Sequence, residues 1–312
     1  MRRRTCWLFV ILLATLAQSQ QDKGNFSNNG GNSGADGHVV VNTALGSITG
    51  KREGIVNTFL GIPFAEPPTG NFRFRPPRPK RAWAPASYQA FSFSPECLQS
   101  SLYTNADDGS IKDEDCLYLN IWAPVKPKDK ELLPVLLWIY GGAFIHGGAS
   151  KPEYIGDQLA ARGVILVSCN YRMGALGFLV STSDGLYGNY GLADQKLAMM
   201  WVQEHIRNFG GDPERVTLFG ESAGAMSIGL HFLDQQYQQQ RLLRISPRKP
   251  RQWLFHAIIL QSNPLGYKYR SVAVANFLGA SYKDRLDCED LRCLQSESAD
   301  ELIHVQDTLM AV

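Results

Sequence analysis

The residues from Val216 to Met226 read VTLFGESAGAM, with a serine flanked at two-residue distance by glycines: Gly220, Glu221, Ser222, Ala223, Gly224. G-x-S-x-G between a strand and a helix is the spacing of a nucleophile elbow, a sharp turn that presents a serine hydroxyl at the end of a sheet. A hydroxyl is a weak nucleophile until a base takes its proton. Attack on an acyl carbon also needs N–H donors where the oxyanion develops. A second glycine turn, Tyr140-Gly141-Gly142-Ala143-Phe144, follows the apolar run LPVLLWI. The pair points to acyl transfer, with Ser222 as candidate nucleophile and the N–H groups of Gly142, Ala143 and Ala223 as candidate oxyanion donors.

The elements that must position these groups are legible around them. Val216 to Phe219 is an apolar strand leading into the elbow, and Ala223 to Leu233 reads as the helix that leaves it. Gly220 and Gly224 leave room for neighbouring backbones. Ser222 then sits at a helix N-terminus, where free N–H groups and the dipole favour negative charge. LPVLLWI, ARGVILVSCNY and HAIILQS are further apolar strands, and LADQKLAMMWVQEHIRNF has apolar residues near helical spacing. Continuous apolar strands alternating with helices predict an α/β fold, a mostly parallel central sheet with helices on both faces. HVVVNTALGSITGKRE adds an N-terminal β-hairpin, and IPFAEPPTGNFRFRPPRPKRAW is too rich in proline for helix. Asp234 to Trp253 is crowded with glutamine and cations; it reads as a solvated loop or, alternatively, as an anion- or membrane-surface contact, which nothing else supports.

A chain of 312 residues with 44% hydrophobic and 19% charged residues fits an ordinary globular protein. Its formal net charge of +2 gives no argument for a nucleic-acid partner. Residues 1–19 carry three arginines, an apolar stretch and small residues at Ala17 and Ser19, the pattern of a secretory signal; the apolar run is short for a membrane anchor. Residues 20–37 are rich in glycine and asparagine and predict a disordered arm holding a glycosylation sequon at Asn25. Export implies oxidised cysteines. With Cys6 in the signal and Cys169 in an apolar strand, the simplest pairing is Cys97–Cys116 and Cys288–Cys293. No cofactor motif and no metal-ligand spacing stands out.

FLGIPFAEPPTGNFRFRPP, EDCLYLNIWAP, LPVLLWIYGGAFIHG, VSCNYRMGALGFL, GNYGLADQKLAMMWVQEHIRNFGGDPERVTLFGESAGA and HAIILQS together resemble the type-B carboxylesterases, the cholinesterase–lipase family. The resemblance covers most of His38 to Ser262. It implies the α/β-hydrolase fold, hydrolysis of small-molecule or lipid esters, and the roles above for Ser222, Gly142, Ala143 and Ala223. It implies that Glu221 shapes the electrostatics of the pocket. It also supports the two disulfides and implies buried ion pairs Arg73–Glu114 and Arg172–Asp194. Two departures stand out. TNADDGSIK, before the EDC motif, has no aromatic residue to hold a quaternary ammonium. Asn263-Pro264 stands after HAIILQS where the family usually has glycine.

The triad order of this fold is Ser, then Asp or Glu, then His. After Ser222 come His231, His256 and His304. His231 lies on the elbow's own helix, His256 begins a buried strand and His304 lies in an amphipathic helix. All three are expected in surface or capping roles. By resemblance the family's acid and histidine fall beyond Val312. Residues 38–312 are therefore expected to be a partial domain, weakly active or inactive alone, with a non-catalytic secreted or adhesion protein as the alternative.

Overall fold

The computed structural model describes residues 37–100, 102, 109–125, 131–245, 253–264 and 266–310. The signal stretch and the arm with its Asn25 sequon lie outside the described residues.

Eight strands build the main sheet: β1 His38–Thr43, β2 Gly46–Glu53, β3 Val56–Pro63, β4 Tyr118–Pro124, β5 Leu133–Ile139, β6 Ile165–Cys169, β7 Gly211–Glu221 and β8 Ala257–Gln261. Their order is β1-β2-β3-β4-β6-β5-β7-β8, and a short strand, Ser87–Gln89, adds to β2. The sheet is mixed. From β1 to β6 neighbours run antiparallel. From β6 through β5 and β7 to β8 they run parallel. The parallel half is the one the apolar runs foretold, because crossover helices cover such strands.

The helices are α1 Asp157–Ala160, α2 Gly174–Phe178, α3 Tyr190–His205, α4 Ala223–Ile245, α5 Val272–Arg285, α6 Leu291–Ser296 and α7 Ala299–Met310. Successive strand residues face opposite sides of the sheet. Ile121, Leu137, Val167 and Leu218 join the large core with Leu197, Ala198, Trp201 and Val202 of α3 and Ile228 of α4. Their neighbours Trp122, Leu136 and Leu166 meet Ala160 of α1 on the other face. A second core gathers α2, α5, α6 and α7 around Phe74, Tyr190 and Tyr282.

Two expectations need correction. The glutamine tract is not a loop: α4 continues to Ile245, as straight-chain side chains lose little rotamer freedom in a helix. Gln235 bridges the core, donating to the Phe255 carbonyl and accepting from the Leu254 N–H. Residues 246–252 of that tract lie outside the described ones. Nor is the strand begun by His256 buried: β8 pairs only with β7 among the described residues, and Ile259 is 47% exposed.

Disulfides join Cys97 to Cys116 and Cys288 to Cys293, with Cα atoms 4.9 and 5.4 Å apart. Cys169 is a buried free thiol whose pKa burial pushes up to about 12. Arg73 binds both oxygens of Glu114, at 2.7 and 2.5 Å. Its remaining nitrogen donates to the carbonyls of Leu294, Gln295 and Glu297 at the end of α6.

Candidate active site

Ser222 joins the end of β7 to the start of α4. Its φ is 51°, left-handed for a residue with a Cβ, which costs about 1–3 kcal/mol and persists only where the surroundings enforce it. They do so on both sides. The Ser222 N–H donates to the Gln261 carbonyl at 2.9 Å, extending the ladder to β8, and its carbonyl accepts the Met226 N–H at 2.9 Å, opening the helix. A Cβ at Gly220 would lie 2.5 Å from the Ile139 carbonyl oxygen, and one at Gly224 would lie 2.0 Å from it. Both glycines are therefore required by the close approach of β5, which drives the elbow against the turn that follows that strand.

That turn holds three consecutive positive φ angles: Gly142 at 97°, Ala143 at 54° and Phe144 at 65°. The Gly142 carbonyl accepts from the N–H groups of Ile145 and His146, and the Phe144 carbonyl accepts from Gly174. A Cβ on Gly141 would lie 3.2 Å from the Ser222 Cβ, so turn and elbow are in van der Waals contact. Among the described residues the N–H groups of Gly142 and Ala143 have no protein acceptor. Two unpaired donors beside a serine at a helix N-terminus are suited to receive an oxyanion. Glu221 turns back over the same turn, its Oε2 only 2.9 Å from where a Gly141 Cβ would stand. The Tyr154 pKa is raised, chiefly by burial and further by the charges of Glu153 and Glu221.

Among the described residues no side chain hydrogen-bonds the Ser222 hydroxyl, and the histidines are dispersed. His256 donates its N–H to the carbonyl of Val216, in the middle of β7 and six residues, about 20 Å, along the chain from Ser222. His304 is exposed on α7. His231 is nine residues along α4 from Ser222, about 13 Å. It is not the surface or capping residue expected. It is 7% exposed, with Nε2 at 2.8 Å from Gln195 Oε1. Burial, then the Lys196 charge, draws its pKa down to about 4. His146, upstream of Ser222, belongs to the glycine turn itself, its N–H donating to the Gly142 carbonyl. The Cβ that Gly142 lacks would stand 1.9 Å from the His146 carbonyl oxygen and 3.1 Å from its Nδ1. Its position in YGGAFIHG is the sequence signal for it. Burial lowers its pKa.

The implied ion pairs stand apart from the site as framework. Arg172 forms a two-pronged pair with Asp194 at 2.8 and 2.7 Å, and the same carboxylate accepts the Arg172 N–H.

A strand–elbow–helix set beside a glycine turn at the ends of adjacent parallel strands defines an α/β-hydrolase. Residues 37–311 match the carboxylesterase family profile, and the chain belongs to that family. It is 49% identical over 201 residues to fumonisin B1 esterase of Sphingopyxis macrogoltabida, covering 62% of this chain and 37% of that protein. It is 42% identical over 290 residues to acetylcholinesterase of Bungarus fasciatus, covering 86% of this chain and 45% of the relative. Among solved structures, a thermophilic PNB esterase superposes with a TM-score of 0.74 at 37% identity, covering 88% of this chain and 54% of the other. A second PNB esterase gives 0.72 at 38% identity, covering 87% and 54%. The chain thus spans about half the length of these structures and less than half that of the curated relatives.

Proposed function

We propose that this chain carries the nucleophile and oxyanion hole of a serine carboxylic-ester hydrolase. The observation that carries the reading is the contact between the elbow and a turn with two unpaired N–H donors. The Ser222 oxygen adds to the ester carbonyl, and the N–H groups of Gly142, Ala143 and Ala223 receive the oxyanion. Collapse expels the alcohol and leaves an acyl-serine, which water then hydrolyses to acid and free Ser222. Each half needs a base for one proton and an acid to return it. Among the described residues no side chain hydrogen-bonds the Ser222 hydroxyl, and a serine without its triad partners loses about 10⁴-fold or more. The 312 residues alone are therefore expected to be weakly active. The disulfides support an oxidising, exported setting, and small-molecule or lipid esters are the substrate class. Among the described residues no helix is long and apolar enough to cross a membrane.

A second reading, a non-catalytic secreted or adhesion-type member, draws on the same unaccompanied serine. The purified chain, tested with a short-chain nitrophenyl ester and with a fluorophosphonate read by intact mass, separates the two. Slow labelling lost in Ser222→Ala supports the hydrolase reading. No labelling at all favours the binding protein. Brisk turnover abolished by Ser222→Ala overturns the expectation of weak activity.

A further inference from the structure

The strained turn must be held from outside, and one side chain is placed to hold it. Gln99 is 5% exposed and meets the backbone of Gly147 on both sides: its Oε1 accepts the Gly147 N–H at 2.7 Å, and its Nε2 donates to the Gly147 carbonyl at 2.9 Å. Nε2 also donates to the Cys97 carbonyl at 2.9 Å and lies 3.5 Å from Glu96 Oε2. Next along the chain, the Ser100 N–H donates to the Ile145 carbonyl. Gly147 closes the turn. At φ 124° it doubles back so far that a Cβ would stand 2.8 Å from the Tyr140 ring and 3.1 Å from the Gly141 carbonyl oxygen. Fixing Gly147 therefore fixes both ends of the segment whose left-handed run aims the Gly142 and Ala143 N–H groups. Gln99 is itself anchored, because the Cys97–Cys116 disulfide ties its segment to the residues leading into β4.

We propose that Gln99 is a positioning residue of the oxyanion hole, acting through Gly147 on donors it does not touch. The proposal rests on the oxyanion role given above to Gly142 and Ala143. A misplacement of about 1 Å in such a constellation costs up to about 100-fold, while a residue that merely stabilised the fold would change no ratio of rates in the folded protein.

The test uses the full chain carrying Ser222→Cys, in which a thiol at a helix N-terminus reacts without a general base. The buried Cys169 does not compete, and Cys6 is replaced by serine in every variant. Nitrophenyl acetate acylates the thiolate through an oxyanion and expels nitrophenolate. Iodoacetamide alkylates it by direct displacement of iodide, with no oxyanion. The ratio of the two rates isolates the turn. Adding Gln99→Met, which keeps the bulk and removes both hydrogen bonds to Gly147 along with the one to the Cys97 carbonyl, is expected to lower that ratio about tenfold with alkylation unchanged. Where that variant does not fold, Gln99→Asn, which withdraws the amide by one methylene, carries the same expectation. An unchanged ratio, or equal loss of both rates, overturns the clamp alone. If the Ser222→Cys chain acylates no faster relative to alkylation than N-acetylcysteine, the oxyanion reading itself fails and takes the clamp with it.

Discussion

Buried between α3 and α4, His231 makes the stability of this chain sensitive to mild acid, and the effect can be worked out in advance. Its imidazole meets Gln195 Oε1, with Lys196 of α3 and Asp234 of its own helix as the nearest charges. Burial is the main cause of its low pKa; Lys196 adds to the depression and Asp234 opposes it. In the unfolded chain the ring titrates near 6.5, in the folded chain near 4. Between those values the unfolded state binds the proton and the folded state does not. Stability is therefore complete above about pH 6.5 and falls as pH drops toward 4. Linkage gives a loss of about 2 kcal/mol between pH 7.5 and pH 5, approaching about 3 kcal/mol below pH 4. Urea denaturation at pH 7.5 and 5.0, read by tryptophan fluorescence, measures it. The variant His231→Gln removes the titrating group, while His146 and His205, both lowered by burial, remain and cancel in the difference. The pH-dependent loss should shrink by about 2 kcal/mol in the variant. Equal losses in the two proteins would refute the burial argument.

Two substitutions on one helix should move in opposite directions. Gly224→Ala forces a Cβ to 2.0 Å from the Ile139 carbonyl and should cost about 3 kcal/mol; Gly229→Ala, whose Cβ would meet its nearest neighbour at an ordinary 3.6 Å, should stabilise by about 0.5–1 kcal/mol. Denaturant midpoints compare them directly, and similar losses at both sites would count against the close approach of β5 to the elbow. Asp194→Asn leaves the Arg172 guanidinium, 4% exposed, without its counter-charge and should destabilise by about 3–5 kcal/mol. A shift of under about 1 kcal/mol in the same measurement would mean the pair is not a buried one.

What the sequence discloses depends on how local the cause is. The elbow and the glycine turn are read correctly as structural features because their geometry is set by five-residue patterns, and the carbonyl of Ile139 does require the glycines at 220 and 224. Longer reach defeats such reading. The run AIILQ predicts a strand covered on both sides, yet composition cannot say how many neighbours a strand has, and β8 has one among the described residues. The glutamines of α4 resemble a solvated tract until Gln235 is seen to bind the chain entering β8. Gln99 lies 48 residues from Gly147, and nothing in ECLQSS announces a partner at that distance. His231 is equally illegible, because its hydrogen-bond partner Gln195 lies on a different helix, 36 residues away.

Arg73 ties together parts of the chain that leave the ribosome far apart in time. Its carboxylate partner Glu114 is 41 residues downstream, whereas the carbonyls of Leu294, Gln295 and Glu297 lie 221 to 224 residues downstream. At a translation rate of about 5–20 residues per second, roughly 10–45 seconds separate synthesis of the guanidinium from synthesis of the end of α6. During that interval the ion pair can form, but one arm of the fork has no protein acceptor from α6, and Phe74 lacks the part of the second core that Tyr282, Leu291 and Leu294 supply. The proline-rich segment around Arg73 is therefore a late-closing seam of the growing chain, sealed only when α6 emerges.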